Sequence, residues 1–138
     1  LDPESTLHVN RMIRALAREE GVTVFLCTHQ LRYAQEICSR YGLISAGELL
    51  MEGGLDSLRA RVLPGLTLRL RSSLVPADAE ARRLEEGLYE LKLGSEQEIP
   101  PLIRRVAEDG GEIYEVMPQK PSLEDIYFAL TENREARA

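Results

Sequence analysis

The stretch VTVFLC, residues 22–27, limits the possible folds of this chain more than any other feature. It is short, almost continuously apolar and rich in β-branched residues, which is typical of a parallel strand covered on both faces. His29 lies at its carboxyl end, and a helical pattern begins at Leu31. A buried strand that leads directly into a helix predicts an α/β fold, and ligands of such folds bind beyond the carboxyl ends of the strands.

A helix is predicted before this strand, and a hairpin is predicted after the helix that follows it. Asp2 can cap the first helix, Pro3 suits its first position, and Gly21 can end it. Residues 41–53 read YGLISAGELLMEG, which predicts two short strands joined around Ala46–Gly47. A brief helix is expected to follow this hairpin.

The second half of the chain has a different pattern and begins after a break at Pro64–Gly65. We therefore predict two domains, residues 1–64 and residues 65–138. The predicted strands of the second domain are residues 66–71, 88–93 and 112–117, and its predicted helices are residues 75–86, 99–107 and 122–131. The last helix carries Ser122 and Asp125 at the spacing of a capping box. This order predicts a small α+β domain with a three-stranded sheet.

Composition argues against several classes of function. The 138 residues include 23 acidic and 17 basic side chains, and the resulting charge of −6 argues against a nucleic-acid-binding protein. No apolar run reaches the roughly 18 residues of a membrane span. Cys27 and Cys38 lack the spacing of a metal motif and are interpreted as buried, reduced thiols, so no metal site is predicted.

Three segments between residues 1 and 54 occur in the order and spacing of a known family. They are LDPES (1–5), VTVFLCTH (22–29) and LRYAQEICSRYGLISAGELLMEG (31–53). Together they resemble the last third of the ATPase domain of ATP-binding-cassette (ABC) transporters, which are P-loop NTPases. The resemblance implies that residues 1–64 are an α/β remnant of that domain, and that the intact parent protein uses ATP and Mg²⁺.

The resemblance also implies roles for two residues. Asp2 corresponds to the D-loop aspartate, which contacts the second ATPase subunit of the dimer, and the same side chain can still cap its helix. His29 corresponds to the H-loop histidine, which senses the γ-phosphate. An imidazole there can donate to a phosphate oxygen as charge shifts during transfer. The implied partners are a second ATPase subunit and a transmembrane permease, and the implied location is the cytoplasmic face of the cell membrane.

The motifs that hold a nucleotide are absent from this sequence. A phosphate-binding loop needs a Gly-rich run ending in Gly-Lys-Ser/Thr, whereas the lysines Lys92 and Lys120 follow Leu91 and Gln119. The Asp-Glu pair that ends the Walker B strand and the Ser-Gly-Gly signature are also missing. We therefore expect a fragment that neither holds nor hydrolyses ATP by itself. Without its neighbouring strands, residues 22–28 would expose apolar edges, so we expect the fragment to self-associate.

Residues 65–131 are similar to a small domain behind ATPase subunits of drug, antibiotic and polysaccharide exporters. The ending PSLEDIYFALT (121–131) carries most of this likeness, which implies a regulatory or architectural role and export of the multidrug type. An alternative remains open: the chain could be a stand-alone regulatory or interaction module that senses a small effector. The coding sequence upstream of Leu1 distinguishes the two hypotheses.

Overall fold

A computed structural model describes residues 2–137. Its helices and strands in chain order are α1 (Pro3–Glu19), α2 (Leu31–Ile37), β1 (Tyr41–Ser45), β2 (Glu48–Gly53), α3 (Leu55–Val62), β3 (Leu66–Ser72), β4 (Ala81–Glu85), β5 (Leu88–Leu93), α4 (Ile99–Glu108), β6 (Ile113–Gln119) and α5 (Leu123–Arg137). One turn of 3-10 helix, Glu96–Glu98, precedes α4. The predicted fold class, a mixed α/β protein, is confirmed, and its strands form two separate sheets.

The first sheet is the antiparallel hairpin of β1 and β2. Ala46 and Gly47 form its turn, as predicted, and have φ angles of 49° and 76°. Two consecutive positive φ angles are the geometry of a type I′ turn, whose twist suits the flanking strands. The hairpin packs with α2 and α3 around a core that includes the buried residues Ala34, Leu43 and Leu58. We call this group the hairpin core.

The second sheet has four antiparallel strands in the order β4-β5-β3-β6. Its central strand, β3, alternates between buried and partly exposed residues, as its sequence predicts. Leu66, Leu68 and Leu70 point to one face and pack against Leu102 and Val106 of α4. We call this group the sheet core.

The second sheet has one strand more than predicted, because residues 75–86 do not form a helix. Residues 81–85 are instead β4, and Glu85 pairs with Leu88 of β5 across a tight turn in which Gly87 has a φ of 74°. The Ala, Glu and Arg residues of this segment favour a helix by less than ~1 kcal/mol each. Backbone pairing with β5 outweighs this preference. The three strands predicted for the second domain are confirmed, although β6 lies slightly further along the chain than expected.

The last helix, α5, follows the second sheet in sequence but packs on the hairpin core. Its residues Leu123 and Ile126 are 1% and 0% exposed within that core. The division into residues 1–64 and 65–138 remains a prediction. The packing adds that one helix of the second predicted domain completes the core of the first.

Residues 22–28, which we expected to form a strand, belong to no sheet within residues 2–137. Every residue from Val22 to Gln30 is exposed, and Phe25 is 90% exposed. A strand needs a neighbour that pairs with its backbone N–H and C=O groups, and none of β1 to β6 pairs with this segment. The strand prediction is therefore wrong for this chain by itself. Cys27 is exposed for the same reason, contrary to its expected burial, while Cys38 is partly buried.

The first helix, α1, extends over 17 residues and has no buried residue. Its apolar stripe, which includes Leu7, Met12 and Leu16, faces solvent. Among residues 2–137, no helix has both the length and the apolar character needed to cross a membrane.

Candidate functional site

His29 lies in a short turn that leads into α2. The backbone N–H of Gln30 donates to the hydroxyl oxygen of Thr28 at 3.0 Å, and this bond closes the turn around His29. The carbonyl of Gln30 then accepts from the N–H of Ala34 at 3.0 Å, which starts the helix. The imidazole is therefore carried on the residue immediately before the helix cap Gln30.

The turn opens onto a cleft of about 550 Å³ between α2 and α5. His29, Arg32 and Glu36 line one side, and Glu124, Tyr127 and Phe128 line the other. His29 is exposed and reaches solvent through this cleft. The imidazole lines an open cleft rather than a sealed interior, but the strand at whose carboxyl end we expected it is not formed within residues 2–137. Its predicted role at a γ-phosphate stays a prediction.

Polar contacts join the two walls of the cleft. The guanidinium of Arg32 lies 3.5 Å from the carboxylate of Glu124, and the two side chains are 90% and 41% exposed. Deeper in the structure, the side-chain oxygen of Gln35 accepts from the backbone N–H of Leu123 at 2.9 Å. The helix α2 is therefore joined to the beginning of α5 by a second polar contact.

The end of α2 is held by Tyr41 of β1. Its hydroxyl donates to the carbonyl of Cys38 at 2.6 Å and lies 3.2 Å from the carbonyl of Gln35. These two carbonyl groups lie at the end of the helix. Carbonyl groups there have no N–H partner within the helix itself. Burial raises the pKa of Tyr41 and that of Cys38 above their usual values, so both side chains stay neutral at pH 7.

Asp2 caps α1, as its sequence position predicts. One carboxylate oxygen accepts from the N–H of Ser5 at 2.8 Å and the other from the hydroxyl of Ser5 at 3.0 Å. These bonds favour the charged form and lower the pKa of Asp2 below its usual value. Asp2 is not among the residues that line the cleft at His29, so the structure does not bring the two candidate residues together there. The D-loop role of Asp2 is not tested by this geometry.

The described residues do not by themselves fit a complete MgATP site. Within residues 2–137, no group of three His, Cys, Asp or Glu side chains is arranged to hold a metal ion. The phosphate-binding motif is absent from the sequence as well. The cleft contains one imidazole, that of His29.

The contribution of α5 is the part of the site that sequence reasoning missed. Glu124, Tyr127 and Phe128 lie about a hundred positions after His29, and no local pattern links them to it. The apolar stripe of α5 predicted a buried face, but it contained no information on which core would bury it.

Comparisons with known proteins identify a family of relatives, although no protein-family model matches the chain. The methionine import ATP-binding protein MetN of Chromohalobacter salexigens is 33% identical over 121 residues, which cover 80% of this chain and 35% of that protein. The protein of the same name from Bordetella pertussis is 33% identical over 78 residues, which cover 56% of this chain and 22% of that protein. The one from Burkholderia thailandensis is 28% identical over 95 residues, which cover 69% of this chain and 28% of that protein.

The chain thus spans about a third or less of the length of these relatives. They are named as import proteins, so the expected export type is not confirmed. Over most of its own length, however, the chain is similar to ATP-binding subunits of ABC transporters, which supports its interpretation as part of such an ATPase.

Proposed function

We propose that this chain is the carboxyl-terminal region of the ATP-binding subunit of an ABC transporter, whose intact form couples ATP hydrolysis to transport. The observation that carries this proposal is the 33% identity with a methionine import ATP-binding protein across 80% of the chain. The stand-alone module receives less support, because the similarity continues well beyond the first 54 residues. In the intact subunit, ATP and Mg²⁺ would be held mainly by residues outside this chain.

His29 is the residue proposed to act on the nucleotide. Its imidazole is exposed on an open cleft at the start of α2, where a phosphate group can approach. A ring N–H donates a hydrogen bond to a phosphate oxygen and stabilises the negative charge that shifts between oxygens during phosphoryl transfer. His29 is assigned the role of hydrogen-bond donor, and it could also help to orient the attacking water.

Asp2 is proposed to contact the second ATPase subunit in the dimer. A carboxylate offers about four acceptor positions, and the two bonds from Ser5 leave some of them free. Capping of α1 and a contact across the dimer are therefore compatible. The cap would hold the carboxylate in place for its partner.

The intact subunit is proposed to bind a transmembrane permease at the cytoplasmic face of the membrane. Import of a small solute such as methionine is the direction that the names of the relatives favour. Export of the multidrug type rests only on the likeness of PSLEDIYFALT (121–131), and we rank it second. Transport by the intact protein in inside-out vesicles distinguishes the two, because an importer moves its solute out of such vesicles and an exporter moves it in.

The 138-residue chain is proposed to be inactive alone and to self-associate. Its exposed apolar segment 22–28 has no partner strand within residues 2–137. Pairing of this segment between two copies would cover it. Calorimetric titration with MgATP should show no binding in the micromolar range, and light scattering should show particles larger than a monomer. Micromolar binding of MgATP or a clean monomer at high concentration would contradict the respective proposal.

The sharpest test of the catalytic role replaces His29 by Ala in the longer protein. We expect the ATPase rate to fall by roughly 10²-fold, the typical effect of removing one donor to a developing negative charge. His8→Ala is the matched control, since His8 is the other histidine of the chain and lies exposed on α1. If both variants keep the wild-type rate, His29 is not the γ-phosphate donor. An upstream coding sequence without an apolar strand ending in Asp-Glu-Pro-Thr would contradict the ATPase assignment itself.

A further inference from the structure

The helix α2, which carries the turn at His29, is too short to keep its own orientation. It has seven residues, whereas isolated helices shorter than about 12 residues are marginal in water. Its position must therefore come from its neighbours. Ala34 anchors one face of α2 in the hairpin core, where it packs with Leu123 and Ile126 of α5.

The contact between Gln35 and Leu123 joins α2 to the first turn of α5. The N–H groups at the start of a helix have no partner within the helix. In α5 the N–H of Asp125 donates to the hydroxyl oxygen of Ser122 at 3.1 Å, and the carboxylate of Asp125 accepts from the N–H of Ser122 at 2.8 Å. The N–H of Leu123 is left over, and the side-chain oxygen of Gln35 accepts from it at 2.9 Å. A side chain of α2 thus supplies an acceptor for one N–H group in the first turn of α5.

A second bond holds the same end of α5. The guanidinium of Arg59, on α3, donates to the carbonyl of Pro121 at 2.7 Å, and its side chain is only 20% exposed. The start of α5 is therefore fixed from α3, and Gln35 transmits that fixed position to α2. The cleft in which His29 lies has α5 as its opposite wall.

We propose that Gln35 is a positioning residue, which uses the start of α5 as a fixed support to set the orientation of α2 and of the imidazole of His29. Gln35 touches no nucleotide in this scheme and acts only through the helix. The catalytic significance of the positioning rests on the proposed function of His29, but the positioning itself does not. The hydrogen bond between Gln35 and Leu123 links α5 to the helix that follows the turn at His29, across a separation of 88 residues in sequence.

The test uses the 138-residue chain and needs no nucleotide. Gln35→Ala removes the acceptor, and we expect amide exchange of Ala34 and Cys38 to become roughly 3- to 10-fold faster, the effect of losing one net hydrogen bond. The ¹H–¹³C resonances of the His29 ring should also shift, because Tyr127 and Phe128 line the same cleft and their ring currents depend on its position.

Matched variants separate positioning from a general loss of structure. Gln35→Glu keeps an acceptor oxygen at the same place and should keep both the exchange rates and the His29 resonances near their wild-type values. Gln97→Ala removes an exposed glutamine of the 3-10 turn and should change neither. The ring resonances of His8 and amide exchange in β3 report whether the rest of the chain is intact.

Two outcomes would overturn the proposal. One is unchanged His29 resonances in Gln35→Ala despite faster exchange in α2, which would reduce Gln35 to a structural contact. The other is no change in either measurement. Should Gln35→Ala fail to fold, Gln35→Met, which keeps the length of the side chain but lacks the oxygen, decides between the same outcomes. Failure here leaves the ATPase proposal intact, because that proposal is judged by His29→Ala in the longer protein.

Discussion

The segment of residues 22–28 and the strand β3 are both apolar stretches that predict strands, yet only β3 lies in a sheet. β3 has β5 on one side and β6 on the other, and its leucines are buried against α4. The segment 22–28 has no such neighbours within residues 2–137, and Phe25 is 90% exposed. The comparison shows that an apolar pattern predicts a strand only where the chain also provides the strands beside it.

The largest expected difference between the two regions is in stability. Leu68→Ala in β3 removes a side chain that is 0% exposed, and we expect it to lower the free energy of unfolding by ~2–5 kcal/mol, because a cavity adds to the lost burial. Phe25→Ala removes a larger side chain that is 90% exposed in the single chain, so under dilute conditions in which the chain is monomeric it should change the free energy of unfolding by less than ~0.5 kcal/mol. Urea unfolding followed by circular dichroism measures both. A large loss for Phe25→Ala would show that the segment is buried in solution, as it would be in a self-associated form. In that case the loss would depend on the protein concentration.

A smaller loss of stability is expected from a change in the turn that joins β4 to β5. Gly87 has a φ of 74°, so Gly87→Ala should lower the free energy of unfolding by ~1–2 kcal/mol, the cost of a left-handed conformation for an L-residue. A new Cβ would meet the carbonyl of Ser72 at 3.6 Å, an ordinary contact, so backbone strain alone is tested. Gly87→Asn is the matched variant and should cost less, because Asn tolerates this conformation better. Equal losses for Ala and Asn would argue against strain as the cause.

The smallest effect on stability is expected at the N-terminal cap of α1, the helix that has no buried residue. The pKa of Asp2 is lowered in the folded chain by its bonds from Ser5. A lowered pKa means that the cap stabilises α1 at pH values above the usual pKa of 3.8, and that this contribution is lost as the pH falls through the folded value. The amide chemical shift of Ser5 should report this titration, and its midpoint should lie at a pH below 3.8. In Asp2→Asn, which caps without a charge, the shift should not titrate; a midpoint at or above 3.8 in the wild type would contradict the cap.

Much of the fold could be predicted from local patterns. The alternation in LTLRLR predicted β3, the hairpin pattern predicted a turn at Ala46–Gly47, and the capping box of Ser122 and Asp125 predicted the start of α5. The helix predicted for residues 75–86 is wrong because the local pattern did not decide the structure of this segment. Its helix preference was weak, and pairing with β5 decided its structure.

The candidate site shows the same division. The order of motifs around His29 predicted a functional imidazole between a buried strand and a helix. The helix is present as α2, the strand is not formed within residues 2–137, and the function of the imidazole stays a prediction. The opposite wall of the cleft and the support from Gln35 could not be predicted, because they depend on a contact between α2 and α5, which are remote in sequence.

The sequence by itself therefore determined the features that depend on neighbouring residues: turn geometry, helix caps, the faces of strands and the placement of His29 at a helix start. Only the tertiary structure decided which surfaces meet, namely that α5 packs on the hairpin core, that residues 81–85 pair with β5, and that residues 22–28 find no partner within residues 2–137. The physical reason is that burial and backbone pairing need two surfaces, whereas a local pattern describes one.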